Sequence, residues 1–178
     1  MERVMLLTEF SLADVVDVAT RSRMMSRIQG KNTSPELLVR QGLHALGFRF
    51  RIHAKHLPGK PDLVLPKYKA SIFIHGCFWH GHNCRYFRAP QTRPEFWLEK
   101  IRNNQARDQR QVAALRALGW RVLIVWECAV RSMKKQKSSL LIDQIAGWLV
   151  EGSEYSQIDE NVLESECSQT ASVTISKV

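Results

Sequence analysis

Apolar residues recur along this chain with two different periods, and the changes of period mark out its elements. A capping hydroxyl at Thr33, then Ser34 and a first-turn Pro35, open a helix whose apolar stripe is Leu37, Leu38, Leu43 and Leu46, and Gly47 closes it. Glu36 falls in its first turn. Two short apolar runs follow, DLVL at 62–65 and SIFIHG at 71–76, and the Pro-Lys-Tyr-Lys link between them predicts a hairpin. Thr92-Arg-Pro-Glu95 has the spacing of a capping box ahead of a long helix with apolar positions Trp97, Ile101, Val112, Leu115 and Leu118, ended by Gly119. WRVLIVWECA at 120–129 predicts a buried strand, because its β-branched and aromatic run is too short for a helix. A last amphipathic helix is expected near 139–150, carrying Leu140, Leu141, Ile145, Trp148 and Leu149. The order helix, hairpin, long helix, strand, helix implies an α/β fold with a small sheet flanked by helices.

At 178 residues the chain is long enough for one domain with a sizeable core and short for two. That domain is expected over 13–150. Residues 1–12 are expected to be a mobile N-terminal extension outside it, and 151–178, rich in Ser, Glu, Gln and Thr, an unstructured tail. The formal charge of +9 favours a polyanionic partner, since Lys and Arg displace counterions condensed on phosphates. No apolar run reaches membrane-spanning length and MERVMLLTEF is poor material for a secretory signal, so a cytoplasmic protein with no membrane partner is expected.

The densest chemistry lies in HGCFWHGHNC, residues 75–84. In a cytosolic protein of this size, cysteines set among histidines point to metal ligation before disulfides. Zinc takes four N or S ligands, and Cys77, Cys84 and Cys128 supply three thiolates. His80 or His82 can close the set, and spacing does not choose between them. The competing reading is three separate buried thiols. Asp62, in PGKPDLVL, stands at the beginning of one hairpin strand, while His75 ends the other and faces the same way as Phe73. Phosphodiester hydrolysis needs oxygen ligands for magnesium, a base for water and a group near the leaving oxygen. Asp62, His75 and His80 are candidates for those duties.

Taken together, PGKPD at 58–62, FIHGCFWHGHNC at 73–84, TRPEFWLEKI at 92–101 and GWRVLIVWECA at 119–129 closely resemble the very short patch repair (Vsr) endonucleases, which nick DNA beside T:G mismatches. The resemblance runs from about Ala13 to Trp148. It implies a nuclease domain with a restriction-endonuclease-like core, a small mixed sheet between helices, and a structural zinc site. It implies two catalytic magnesium ions, with magnesium bound by Asp62 and the backbone carbonyl of Ile74, His80 as general base, His75 assisting at the phosphate and leaving group, and Glu36 orienting His80. The implied zinc set is Cys77, His82, Cys84 and Cys128. Phe78, Trp79 and Trp97 would enter the base stack from the major groove, Met25 and Ile28 would approach the minor groove, and Lys100 and Arg131 would read bases. Ile74 stands where the best-known members carry threonine, which a main-chain contact tolerates.

The function so implied is a magnesium-dependent endonuclease that cuts double-stranded DNA 5′ of the thymine in T:G pairs left by deaminated 5-methylcytosine. It would act as a monomer near the bacterial nucleoid, linked to a cytosine-5 methyltransferase, MutL and a repair polymerase. The competitors are a zinc-dependent DNA-binding module without catalysis and a related nuclease of relaxed specificity.

Overall fold

The computed structural model describes residues 30–161 apart from 53, 92 and 133–137, together with 17, 19, 20, 23 and 26. Helix α1, Ser34–Ala45, starts where its caps predict. The Glu36 carboxylate accepts from the Thr33 N–H at 3.4 Å and the Thr33 hydroxyl at 3.0 Å, which satisfies donors that the first turn leaves free. Its buried face differs from the expected leucine stripe. Glu36, Val39, Arg40 and Leu43 point inward, whereas Leu37 and Leu46 are exposed. Helical spacing permits either face; the one bearing Val39 and Leu43 packs on the core, and the Arg40–Glu36 pair at 2.6 Å offsets part of the cost of burying those two charges beside them.

Strands β1 (Arg51–Ile52), β2 (Leu63–Leu65) and β3 (Ala70–His75) run antiparallel in turn, and one 3-10 turn at Pro66–Tyr68 makes the expected hairpin between β2 and β3. Helix α2, Pro94–Ala117, leads to β4, Arg121–Trp126, which lies parallel to β3 with His75 opposite Trp126. The expected strand through 129 stops there. The chain turns into the short helix α3, Glu127–Arg131, because β3 has ended at His75 and no neighbouring strand remains to pair with. The start of α2 also differs from expectation: Arg93 is its N-cap in a left-handed conformation without a side-chain cap, Pro94 supplies the first turn, and Thr92 lies outside the described residues.

Helix α4, Ser138–Glu151, then returns the chain to strand β5, Tyr155–Ile158, parallel to β4. Residues 155–158 thus correct the expectation of a structureless tail from 151. Their short polar sequence hides a strand whose backbone pairs with β4 and whose Ile158 is buried. The result is a mixed α/β fold, a five-stranded sheet in the order β1-β2-β3-β4-β5 flanked by helices.

Alternation sorts the sheet's two faces. Leu63, Leu65, Ile72, Leu123 and Val125 meet Val39 and Leu43 of α1 and Leu141, Ile145 and Leu149 of α4. Each of the α4 residues is fully buried and contributes on the order of 2 kcal/mol of hydrophobic stabilisation. At Gly42 a β-carbon would sit 2.5 Å from Ile142, so glycine sets the close approach of α1 and α4. Val64, Phe73 and Val122 face the other way onto Leu115 of α2. Among the described residues, no helix is long and apolar enough to cross a membrane.

Candidate active site

The antiparallel register of β2 and β3 brings the start of one strand to the end of the other, so Asp62 and His75 emerge together at one end of these inner strands. The bond from the Ile74 N–H to Asp62 Oδ2, 2.8 Å, fixes the carboxylate there. His75 shares the α2 side with Phe73, as the two-residue period requires, with ring centroids 5.6 Å apart. Beyond it the loop 76–84 curls back. His80 stacks on His75, with centroids 3.8 Å apart and planes 6° from parallel. Asp62, His75 and His80 line one cavity of about 690 Å³, together with Glu36, Ile74, Trp79, Arg107, Asp108 and Glu127.

Helix α2 holds this loop by its polar face. Asn104 Nδ2 donates to the Trp79 carbonyl at 2.8 Å, and Gln105 Nε2 donates to the His80 carbonyl at 3.2 Å. Gly81 sits at φ +62°, and a β-carbon there would lie 2.5 Å from Ile101 and 2.6 Å from Gln105, so only glycine lets the loop lie against α2. Asp108 completes the contact: its Oδ2 lies 2.5 Å from His80 Nδ1.

This replaces the expected partnership of Glu36 with His80. The Glu36 carboxylate is engaged by Arg40, by the Thr33 cap and by the Asn32 N–H at 3.0 Å, while the carboxylate on the imidazole comes from α2. Sequence reasoning missed Asp108. A faint signal was present: it is the one acid among Lys100, Arg102, Arg107, Arg110 and Arg116 between 100 and 117.

Burial dominates the electrostatics. It raises the Asp62 pKa from 3.8 to about 6; the Ile74 N–H opposes the rise, the charge of Glu36 adds to it, and Arg40 and His80 oppose it more weakly. Burial, reinforced by the neighbouring charge of His80, lowers the His75 pKa to about 3, leaving that ring neutral at ordinary pH. Burial pushes Asp108 upward, but its hydrogen bond and charge interaction with His80, with help from His75 and Arg107, outweigh that and hold it below the usual carboxylate value.

Behind the loop, one ligand atom from each of Cys77, His82, Cys84 and Cys128 lies within 4.8 Å of the others. Cys77 and Cys128 are buried. The hydrogen bond between them raises the Cys77 pKa and holds the Cys128 thiol below its ordinary value. Cys128 comes from α3 and not from the strand end. Three sulfurs and an imidazole at this spacing are the donor set of a borderline-soft divalent cation, so the residues fit a metal. His82, not His80, joins the cysteines.

Phe78, Trp79 and Trp97 form one edge-to-face cluster, with centroids 5.3 to 5.8 Å apart, at the rim of the cavity that Trp79 lines. Lys100 Nζ lies 5.7 Å from the Trp79 ring centroid and 5.3 Å from that of Trp97. Exposed Phe96 extends the cluster. Arg131 stands apart, 5.1 Å from the Tyr86 ring centroid and 3.5 Å from Glu127. Met25 and Ile28 lie outside the described residues.

A basic α/β domain thus aims the half-buried carboxylate of Asp62 and a carboxylate-held imidazole into one cleft, beside an aromatic and cationic rim, an arrangement suited to hydrolysing a phosphodiester. The family model described as DNA mismatch endonuclease Vsr matches residues 13–86. The DNA mismatch endonuclease Vsr of Escherichia coli K12 is 46% identical over 148 residues, covering 83% of this chain and 95% of that protein. The type II nicking enzyme V.XorIIP of Xanthomonas oryzae pv. oryzae is 48% identical over 122 residues, 68% of this chain and 90% of that one, and the type II nicking enzyme V.NmeAIP of Neisseria meningitidis serogroup A is 45% identical over 121 residues, 68% of this chain and 86% of its own. With nearly the whole E. coli relative covered, the chain belongs to the Vsr DNA mismatch endonuclease family.

Proposed function

We propose that this endonuclease hydrolyses one strand of double-stranded DNA 5′ of the thymine in a T:G mismatch, with magnesium bound by Asp62 and the main-chain carbonyl of Ile74. The observation that carries the reading is the single cavity shared by Asp62, His75 and His80 and rimmed by Trp79. A half-buried carboxylate whose pKa desolvation raises to about 6 is one that a divalent cation stabilises in its charged form, and this is the fit between the residues and magnesium. When bound, magnesium, as two ions, would supply electrostatic stabilisation of charge on the phosphate oxygens.

The chain's own residues do the rest. His80 takes a proton from the attacking water, and Asp108 at its Nδ1 fixes the tautomer that leaves Nε2 as the accepting atom. His75, stacked against it, assists at the phosphate and leaving oxygen. Glu36, held by Arg40 and the Thr33 cap, lines the same cavity and its charge raises the Asp62 pKa, so it adds to the negative potential that a cation at Asp62 would meet. Cys77, His82, Cys84 and Cys128 hold a structural zinc that orders the loop, and such a site adds on the order of 10 kcal/mol to folding. Phe78, Trp79 and Trp97 enter the base stack, where unstacking costs least at a mispair; Met25 and Ile28 approach from the other groove, and Lys100 and Arg131 contact bases. The core is of restriction-endonuclease type in a domain beginning near residue 13, and the protein works as a cytoplasmic monomer alongside a cytosine-5 methyltransferase, MutL and a repair polymerase.

The test incubates the purified chain and magnesium with matched and T:G duplexes in several sequence contexts. Nicking 5′ of the mismatched thymine is expected, lost in His80→Ala while zinc content and mismatch binding persist. Equal cutting of matched duplex would favour a nuclease of relaxed specificity, and binding without cutting would favour a module without catalysis.

A further inference from the structure

The segment that follows β4 and α4 does more than add an edge strand. At the end of β5, Asp159 Oδ2 lies 3.4 Å from His82 Nε2, while the other ring nitrogen, Nδ1, faces Cys128 Sγ at 3.5 Å. The imidazole is thus spanned between a carboxylate and a cluster of sulfurs. Its plane is set as well: it stacks on Trp126 with centroids 4.1 Å apart and planes 12° from parallel, and the Trp126 indole N–H donates to Gln157 Oε1 at 2.8 Å. Next to Asp159, the buried Glu160 accepts from the Arg85 N–H at 3.0 Å and lies 2.5 Å from Arg85 Nε, bracing the residue that follows Cys84. The Glu160 backbone N–H is hydrogen-bonded to Cys128. Two consecutive residues just past the end of β5 therefore touch or brace three members of the Cys77, His82, Cys84 and Cys128 cluster.

We propose that Asp159 and Glu160 support the zinc ligands from behind, so that metal retention, and through it the position of the loop carrying His80, depends on the C-terminal segment that follows β5. The chemistry is that of a ligand with two ends. A histidine that gives the lone pair of Nδ1 to a cation must carry its proton on Nε2, and a carboxylate facing Nε2 selects that tautomer and makes the ring a better donor. Asp159 occupies that place for His82. The N–H of Glu160 stabilises negative charge on Cys128 in the same sense. The loop 76–84 is then held from two sides, by Asn104, Gln105 and Asp108 of α2 and by the end of β5. Asp159 is a positioning residue acting through His82.

The proposal rests on the zinc assignment, and the experiment separates the two. Full-length chain and its Asp159→Asn, Asp159→Glu and Glu154→Gln variants are loaded with zinc and titrated with a chromogenic chelator. Parallel samples take cobalt for its thiolate charge-transfer and ligand-field bands, and urea unfolding is followed with and without metal. Asp159→Asn should lose about 10- to 100-fold in zinc affinity, with altered cobalt bands. Asp159→Glu should recover part of the loss, and Glu154→Gln, which removes an exposed carboxylate paired with Arg116 on the same segment, should change nothing. Metal-free wild type and Asp159→Asn should unfold at the same urea concentration. Wild-type zinc affinity and cobalt bands in Asp159→Asn would overturn the proposal, as would equal destabilisation with and without metal. A wild-type chain that takes up neither ion would overturn the zinc assignment itself.

Discussion

Replacing Asp62 by Asn should abolish nicking and at the same time stabilise the magnesium-free protein, and the second effect can be worked from the site. Burial lifts the Asp62 pKa from 3.8 to about 6. A carboxylate whose folded pKa lies above its unfolded one contributes stability in its protonated form, fully below pH 3.8 and progressively less as pH rises through 6. At pH 8 the ionised group therefore costs about 3 kcal/mol relative to its neutral form, at roughly 1.4 kcal/mol per pKa unit. Asn cannot ionise, and its amide oxygen can still accept from the Ile74 N–H. The advantage of Asp62→Asn should be largest at pH 8 and should shrink by about 1.4 kcal/mol at pH 5, where the wild-type group is mostly protonated in the fold. With a urea slope of about 2 kcal/mol per M, that is a change of roughly 0.7 M in the gap between the two midpoints. Urea unfolding in magnesium-free, zinc-retaining buffer at both pH values measures it, and any packing difference between Asp and Asn cancels in the comparison. A gap that does not change with pH would mean that Asp62 is ionised at no cost, and the argument that the cavity is prepared for a divalent cation would fail.

Two further outcomes follow from the same geometry. Asp108→Asn should slow nicking by about 10²-fold or more through kcat while KM, zinc content and duplex binding stay near wild type, because besides an exposed contact with Arg107 it disturbs the partner of His80 Nδ1; single-turnover kinetics with an unchanged rate would remove Asp108 from the reaction. Phe78→Ala combined with Trp79→Ala should reduce the preference for T:G over paired duplex by at least about 10-fold, since stacking a side chain on a base is worth about 1–3 kcal/mol; competition binding that shows the full preference retained would argue against insertion.

The elements whose signals are short-range were legible along the chain. Capping at Thr33 and Glu36, the Pro-Lys-Tyr-Lys hairpin, the glycines at 47 and 119, and the apolar run of β4 all depend on residues within a few positions of one another. The Cys and His of 75–84 were equally visible, because ligand types concentrated in one loop announce a shared task. Choosing between His80 and His82 was beyond spacing, since both lie on the same turn. The resemblance pointed to His82, and in the fold His82 lies among the sulfurs while His80 meets Asp108.

What the amino-acid order determined by itself is the set of local elements and the inventory of chemistry in the 75–84 loop, since periodicity, caps and turns are settled by near neighbours. What tertiary structure alone decided is partnership. Asp108 reaches His80 across 28 residues, Glu160 reaches Arg85 across 75, and the polar segment 155–158 becomes a strand only because the open edge of β4 offers it hydrogen bonds. No local pattern encodes such pairings, because their free energy comes from groups that folding alone brings within bonding distance.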